Sequence, residues 1–195
     1  DGKHVMFRDY FGGIVHKPPQ SHTLNPSVRI LRPGITLTPG EAWARKVNNL
    51  LYDPEYQEYI AVVASTQIRL GHSVLIIADR VEFLANVKEL IGDKCVLVTG
   101  ETTFEEREAC GKAIEDGTKM CIAGSRQIFS EGISFNRLSC VILATPMSSE
   151  VLLEQIIGRI MRKHELKLDP VVIDIQFSGG ADRKQNNTRF KFYLD

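Results

Sequence analysis

Arg159 and Arg162 stand three residues apart in the run Leu153-Glu154-Gln155-Ile156-Ile157-Gly158-Arg159-Ile160-Met161-Arg162-Lys163. Two guanidiniums presented together form a fork of donors suited to a triphosphate, because arginine stays charged and bonds oxygens bidentately. The same residues also suit a solvated basic helix end that complements the helix dipole. The segment alone leaves both readings open.

The elements that must position this pair can be traced from hydrophobic spacing. Leu152, Leu153, Ile156, Ile157 and Ile160 recur at helical intervals, which predicts a helix with Arg159 and Arg162 at neighbouring positions of one face. Upstream, short apolar runs alternate with amphipathic segments. Val74 to Ala78 precedes a helix over Val81 to Ile91, Cys95 to Val98 precedes one over Phe104 to Ile114, and Met120 to Ala123 precedes a short turn or helix at Gln127 to Phe129. Cys140 to Ala144 leads into the arginine helix, and Val171 to Ile175 closes the series. Such alternation predicts an α/β fold with a mostly parallel sheet covered by helices on both faces. Ligands on such sheets bind beyond the carboxyl ends of the strands. Asp79, Arg80, Thr99 to Thr103, Gly124 to Gln127 and Thr145 are expected there.

Before this alternation, Thr38 and Glu41 have the spacing of a capping box for a helix ending near Tyr52, and a second helix runs from Pro54 to Leu70 and stops at Gly71. Trp43 on the first of these helices reads as core rather than as a base-stacking platform. Residues 1–40 are rich in proline, glycine and histidine and form a leader, with short strands at Val28 to Leu31 and Ile35 to Leu37. The main domain is expected over 41–177. Residues 178–195 interleave Arg183, Lys184, Arg189 and Lys191 with Phe190, Phe192 and Tyr193, which fits an edge strand with one basic and one aromatic face, or a solvated tail.

In 195 residues, 24 Lys and Arg balance 24 Asp and Glu, so no global basic footprint points to nucleic acid and any such contact must be local. Cys95, Cys110, Cys121 and Cys140 show neither C-x-x-C pairing nor metal-ligand spacing with histidine, which favours reduced thiols in a cytoplasmic setting and no metal site. No apolar run approaches membrane-spanning length. The sequence contains no G-x-x-x-x-G-K-[ST] phosphate loop and no Asp-Glu pair at a strand end for Mg²⁺. Glu105-Glu106 stands instead at a helix start, where acids serve the dipole.

The Q-x-x-G-R-x-x-R pattern from Gln155 to Arg162 resembles motif VI of superfamily 2 helicases, and Phe129-Ser130-Glu131-Gly132-Ile133-Ser134 resembles their motif V. The ordered pair, with the strand from Val141 to Ala144 between, is similar to the second of two RecA-like motor domains. The resemblance covers residues 55–176 and implies a RecA-like three-layer fold. Its implied roles are Arg159 and Arg162 as catalytic arginine fingers, and Gln155, Gly132 and Ser134 as nucleotide-binding with them. Gly132 would let backbone approach the nucleotide because it lacks a Cβ. Ser134 stands where many relatives have Asp, which puts a direct ribose or metal-shell contact in doubt. Val74 to Asp79 resembles motif IV, and Thr99-Gly100-Glu101 resembles the loop that touches the nucleic-acid backbone. The implied DNA contacts are Arg80, Thr99, Gly100, Thr102, Ser125 and Arg126. The spacing from Ser125 to Gly132 is one residue longer than in many families.

Within the superfamily, the sequence looks most similar to bacteriophage branch-migration helicases, which remodel forks and junctions in recombination, replication and repair. The implied cofactor is ATP with Mg²⁺, held mainly by an N-terminal RecA-like partner domain that carries the phosphate loop and a D-E-x-H box. The implied partners are that domain and DNA, branched or single-stranded, with the protein in the host cytoplasm. Tyr10 to Val15 resembles the segment by which such enzymes leave the first motor domain, or is a leader with packed aromatics. An RNA helicase domain, a restriction-type translocase domain and a non-motor RecA-like binding module are the alternatives.

Overall fold

The computed structural model describes residues 23–37, 40–125, 135–178 and 180–194, with the side chains of the last segment from Arg183 onward. Six strands form one wholly parallel sheet: β1 (Ser27–Leu31), β2 (Val74–Ile77), β3 (Cys95–Val98), β4 (Cys121–Gly124), β5 (Cys140–Leu143) and β6 (Val171–Ile175). Their spatial order is β1-β6-β5-β2-β4-β3, so the connection from β4 to β5 crosses β2. The described helices are α1 (Trp43–Leu51), α2 (Pro54–Arg69), α3 (Val81–Ile91), α4 (Phe104–Glu115), α5 (Glu150–Ile160) and α6 (Gly180–Leu194). The expected parallel sheet covered on both faces is therefore present, and its strands fall where the apolar runs predicted them.

Alternation along each strand divides the core in two. Val74, Ile76, Cys121, Ala123, Cys140, Ile142, Val171, Ile173 and Ile175 face the layer containing α1, α2 and α3. Leu75, Ile77, Ile122, Val141, Leu143 and Val172 face Ile114 of α4 and Leu153, Ile156, Ile157 and Ile160 of α5. Side chains on a strand point to opposite faces with a period of two, so continuous apolar runs supply both layers. Tyr56 pins α2 to the sheet: it is fully buried, its hydroxyl donates to the Ala144 carbonyl at 2.6 Å, and its ring stacks on Phe83.

Local signals set the helix starts. Asp53 accepts the Glu55 amide at 3.0 Å ahead of Pro54, and Thr103 and Glu106 form a reciprocal capping box, a device worth about 1 kcal/mol. Helix α1 begins at Trp43 with Ala42 as an N-cap that makes no side-chain hydrogen bond. The expected capping box of Thr38 and Glu41 is thereby corrected, because Glu41 precedes the helix and accepts instead from Asn49 Nδ2 at 3.2 Å. Thr38 itself, the segment Tyr10 to Val15 and the turn at Gln127 to Phe129 lie outside the described residues. Trp43 packs against the core, as its helical position implied.

Two further expectations are corrected. Ile35 to Leu37 is not a strand but contributes one parallel bridge, Thr36 to Ser178. The C-terminal segment is neither an edge strand nor a solvated tail but the helix α6. The reason lies in Asp174, which alternation places on the α5 side of the sheet, where it is fully buried. A buried carboxylate requires a partner. Arg189 of α6, 1 % exposed, supplies it, with Nε 3.0 Å from Asp174 Oδ1. All four cysteines are free; Cys95, Cys121 and Cys140 are buried and Cys110 is half-buried. Burial pushes the Cys140 thiol up to about 12.

Candidate functional site

The arginine run is built on α5. Ser149 caps it by accepting the Leu152 amide at 3.4 Å, and the buried stripe Leu153, Ile156, Ile157 and Ile160 fixes its rotation against the sheet. Gln155, Gly158 and Arg159 consequently fall on the outward side, where Val151 is also 66 % exposed. Among the described residues nothing lies within 4 Å of where a Cβ on Gly158 would sit. Packing among the described residues therefore gives no reason for glycine there.

The expectation that Arg159 and Arg162 share one helix face is corrected. Helix α5 ends at Ile160 with Met161 as its C-cap, so Arg162 lies beyond it. The Leu24 amide donates to the Met161 carbonyl at 2.7 Å, and Thr23 forms an antiparallel bridge with Arg162, which draws the chain out of the helix. Lys167 Nζ donates to the Arg162 carbonyl at 2.7 Å, and Arg162 Nη1 donates to Asn136 Oδ1 at 3.4 Å. The two guanidiniums still feel one another: burial, then the charge of Arg162, lowers the Arg159 pKa. His164, next along, accepts the Leu166 amide on Nδ1 at 3.2 Å and pairs through Nε2 with Glu115 at 3.2 Å. Thr23, Asn136 and Glu115 precede β1, precede β5 and end α4, so this cluster occupies the amino-end edge of the sheet.

The second group of candidates occupies the opposite edge. Asp79 and Arg80 follow β2, Thr99 to Thr102 follow β3, and Ser125 follows β4, all at carboxyl ends. Arg80 Nε donates to Asn48 Oδ1 of α1 at 2.8 Å, and the Asp79 amide donates to Thr145 Oγ1 at 3.1 Å. The Thr99 amide donates to Thr102 Oγ1 at 2.9 Å, and the Glu101 amide to Thr99 Oγ1 at 3.2 Å, so both hydroxyls shape their own loop. Gly100 is exposed at its tip. Ser125 is 8 % exposed, and its Oγ has no hydrogen-bond partner among the described residues. A buried hydroxyl left in that state favours a ligand or a further chain segment that satisfies it. Arg126, Gly132 and Ser134 lie outside the described residues.

Sequence reasoning missed the residues that support these groups. Arg107, 3 % exposed, donates through Nη2 to the Thr99 carbonyl at 3.1 Å and the Gly100 carbonyl at 3.3 Å, bracing the loop from beneath. Its place in the inward stripe with Gly111 and Ile114 was the available signal. Asn48, Asn136 and Lys167 come from distant segments and left no signal in spacing.

Residues 56–164 match the family described as the helicase conserved C-terminal domain, more than half of the chain. The chain belongs to this family, the C-terminal domain of superfamily 2 helicases. It is 35 % identical over 198 residues to "Probable helicase D10" of Escherichia phage T5, covering 99 % of this chain and 44 % of that protein. It is 37 % identical over 100 residues to "ATP-dependent DNA helicase uvsW" of Enterobacteria phage T4, covering 51 % of this chain and 20 % of that one. The crystal structure of T4 UvsW superposes with a TM-score of 0.70 at 22 % identity over 95 % of this chain and 42 % of that one, which establishes the RecA-like helicase fold. The chain thus spans less than half the length of these relatives. Among its described residues no helix is long and apolar enough to cross a membrane.

Proposed function

We propose that this domain is the C-terminal motor half of an ATP-dependent DNA helicase or translocase that remodels branched DNA. In this reading Arg159 and Arg162 reach a Mg²⁺-ATP site completed by an N-terminal RecA-like domain. The observation that carries it is the amino-end cluster. Two arginines close enough to perturb one another, one of them gripped through its carbonyl by Lys167, sit beside an outward face holding Gln155, Gly158 and exposed Val151. Like charges held this close favour a site that receives a polyanion. Open space at Gly158 and exposed Val151 fit a face that another domain covers.

The residues suit a triphosphate. Arg159 and Arg162 offer donors to its oxygens, and Gln155 on the same outward side would join the site to the domain interface. ATP with Mg²⁺ supplies the transferable phosphoryl group. Arginine fingers of this kind contribute ~10³ or more in rate by meeting charge that develops in the transition state. The carboxyl-end edge, with Arg80, Thr99, Gly100, Thr102, Ser125 and Arg126, would follow a DNA backbone through hydroxyls, amides and cations, without reading bases. The T4 relative is named as a DNA helicase, which favours DNA as the nucleic acid.

In the full-length protein, Arg159→Ala or Arg162→Ala is expected to lower kcat for ATP by about 10² or more, while nucleotide affinity changes far less. Steady-state hydrolysis and binding of a fluorescent nucleotide measure the two quantities. Equal losses in both, or no loss, would reduce these arginines to surface charge.

A further inference from the structure

Helix α6 lies beyond residues 56–164, the part matched to the helicase family. Its inward side is anchored at the carboxyl ends of two strands. Arg189 meets Asp174 in β6 and donates through Nη1 to the Met147 carbonyl after β5 at 2.9 Å, while Asn186 Nδ2 donates to the Phe177 carbonyl after β6 at 3.3 Å. Its other side carries Arg183, Lys184, Asn187 and Lys191, all exposed, with half-buried Thr188 among them. These residues border an open depression of about 400 Å³.

Helix α6 carries four basic residues, Arg183, Lys184, Arg189 and Lys191, against one acidic residue, Asp182, although acids and bases balance over the whole chain. Among the described residues no carboxylate pairs with Arg183, Lys184 or Lys191. Cations in excess, kept together with an exposed amide, are suited to a polyanion rather than to a folded neighbour's core. The anchors also decide where this face lies. Met147 and Phe177 follow β5 and β6, so α6 hangs from the same carboxyl-end edge that bears Arg80, the Thr99 loop and Ser125 after β2, β3 and β4.

We infer that the outward face of α6 is a second binding surface for a nucleic-acid phosphodiester backbone, continuing the edge track past β5 and β6. This rests on the reading of the domain as a DNA motor. Arg183, Lys184 and Lys191 neutralise phosphates and the Asn187 amide donates to phosphate oxygens, while the Thr188 hydroxyl donates to the Lys184 carbonyl at 3.1 Å, so the surface is indifferent to base sequence.

The test uses the full-length protein and labelled single strands, duplexes and forks, with fluorescence anisotropy across a salt series. The variant Arg183→Gln/Lys184→Gln/Lys191→Gln is compared with the parent and with Arg80→Ala/Arg126→Ala. The α6 variant should bind about tenfold more weakly at low salt, with the slope of log K against log salt shallower by about 2, at ~0.7 to 0.9 per phosphate lost. Lys184→Arg/Lys191→Arg, which keeps the charge, should bind like the parent. If the loop variant weakens binding while the α6 variant binds with parental affinity and slope, the inference is overturned and the DNA-motor reading stands. A parent that binds no DNA removes both. An α6 variant that loses an acidic protein partner but keeps its DNA affinity also overturns the inference, and a melting temperature equal to the parent's confirms that the loss is not unfolding.

Discussion

The Arg162 backbone is held by the Thr23 bridge and by Lys167, and the lysine that closes the grip is itself perturbed. Burial, then the Arg162 charge, lowers Lys167 to about 8, while Glu115 acts in the opposite direction. The folded pKa lies below the unfolded value near 10.5, so between about pH 8 and 10.5 the unfolded chain holds more protons than the native one. The protonated lysine therefore costs stability at lower pH, and that cost is relieved as pH rises through this window. Against Lys167→Met, which has no titrating group there, the parent should gain relative stability from pH 8 to pH 10.5 in urea denaturation. A difference that stays flat, or that moves toward the variant, would show that this amine titrates normally.

Among the elements, α6 shows how a single buried charge selects secondary structure and placement together. Asp174 is 0 % exposed, and the Arg189 guanidinium reaches it, the Met147 carbonyl and Asn186 from one side chain. Burial, then the Asp174 carboxylate, pushes the nearby Tyr193 phenol up. Breaking such a pair by removing one partner leaves an uncompensated charge, at a cost of about 3–5 kcal/mol. Arg189→Ala should therefore destabilise the domain by about that amount, whereas Asp174→Leu/Arg189→Met should recover most of it. Denaturant midpoints provide the comparison, and a double variant as unstable as Arg189→Ala would mean that the lost Met147 and Asn186 contacts dominate.

For the whole molecule, the sheet keeps the two candidate sites apart. Helix α5, eleven residues and so about 16 Å long, runs from the carboxyl-end edge to the amino-end edge and delivers the arginines away from the loops proposed to follow DNA. The sequence contains no phosphate loop, so the 195-residue chain alone should hydrolyse ATP no faster than background, with or without DNA. A coupled assay that found robust DNA-stimulated turnover by this chain would end the proposal that its arginines act on a site held elsewhere.

The sequence by itself determined the α/β class, the six strands of the sheet and the bounds of most helices, because a parallel sheet covered on both faces needs continuous apolar runs and amphipathic helices between them. It also singled out Arg159 and Arg162 as candidates, since motif spacing is a property of the linear chain. Only the tertiary structure decided that these two do not share a helix face, because the end of α5 depends on Leu24 and Thr23, far away in sequence. The same holds for Arg107 beneath the Thr99 loop and Lys167 on Arg162, whose roles arise from burial beside distant carbonyls. The tail was misread for a related reason. Its alternating basic and aromatic residues satisfy a strand pattern locally, whereas the demand of Asp174 for a partner exists only once the sheet has formed and buried it.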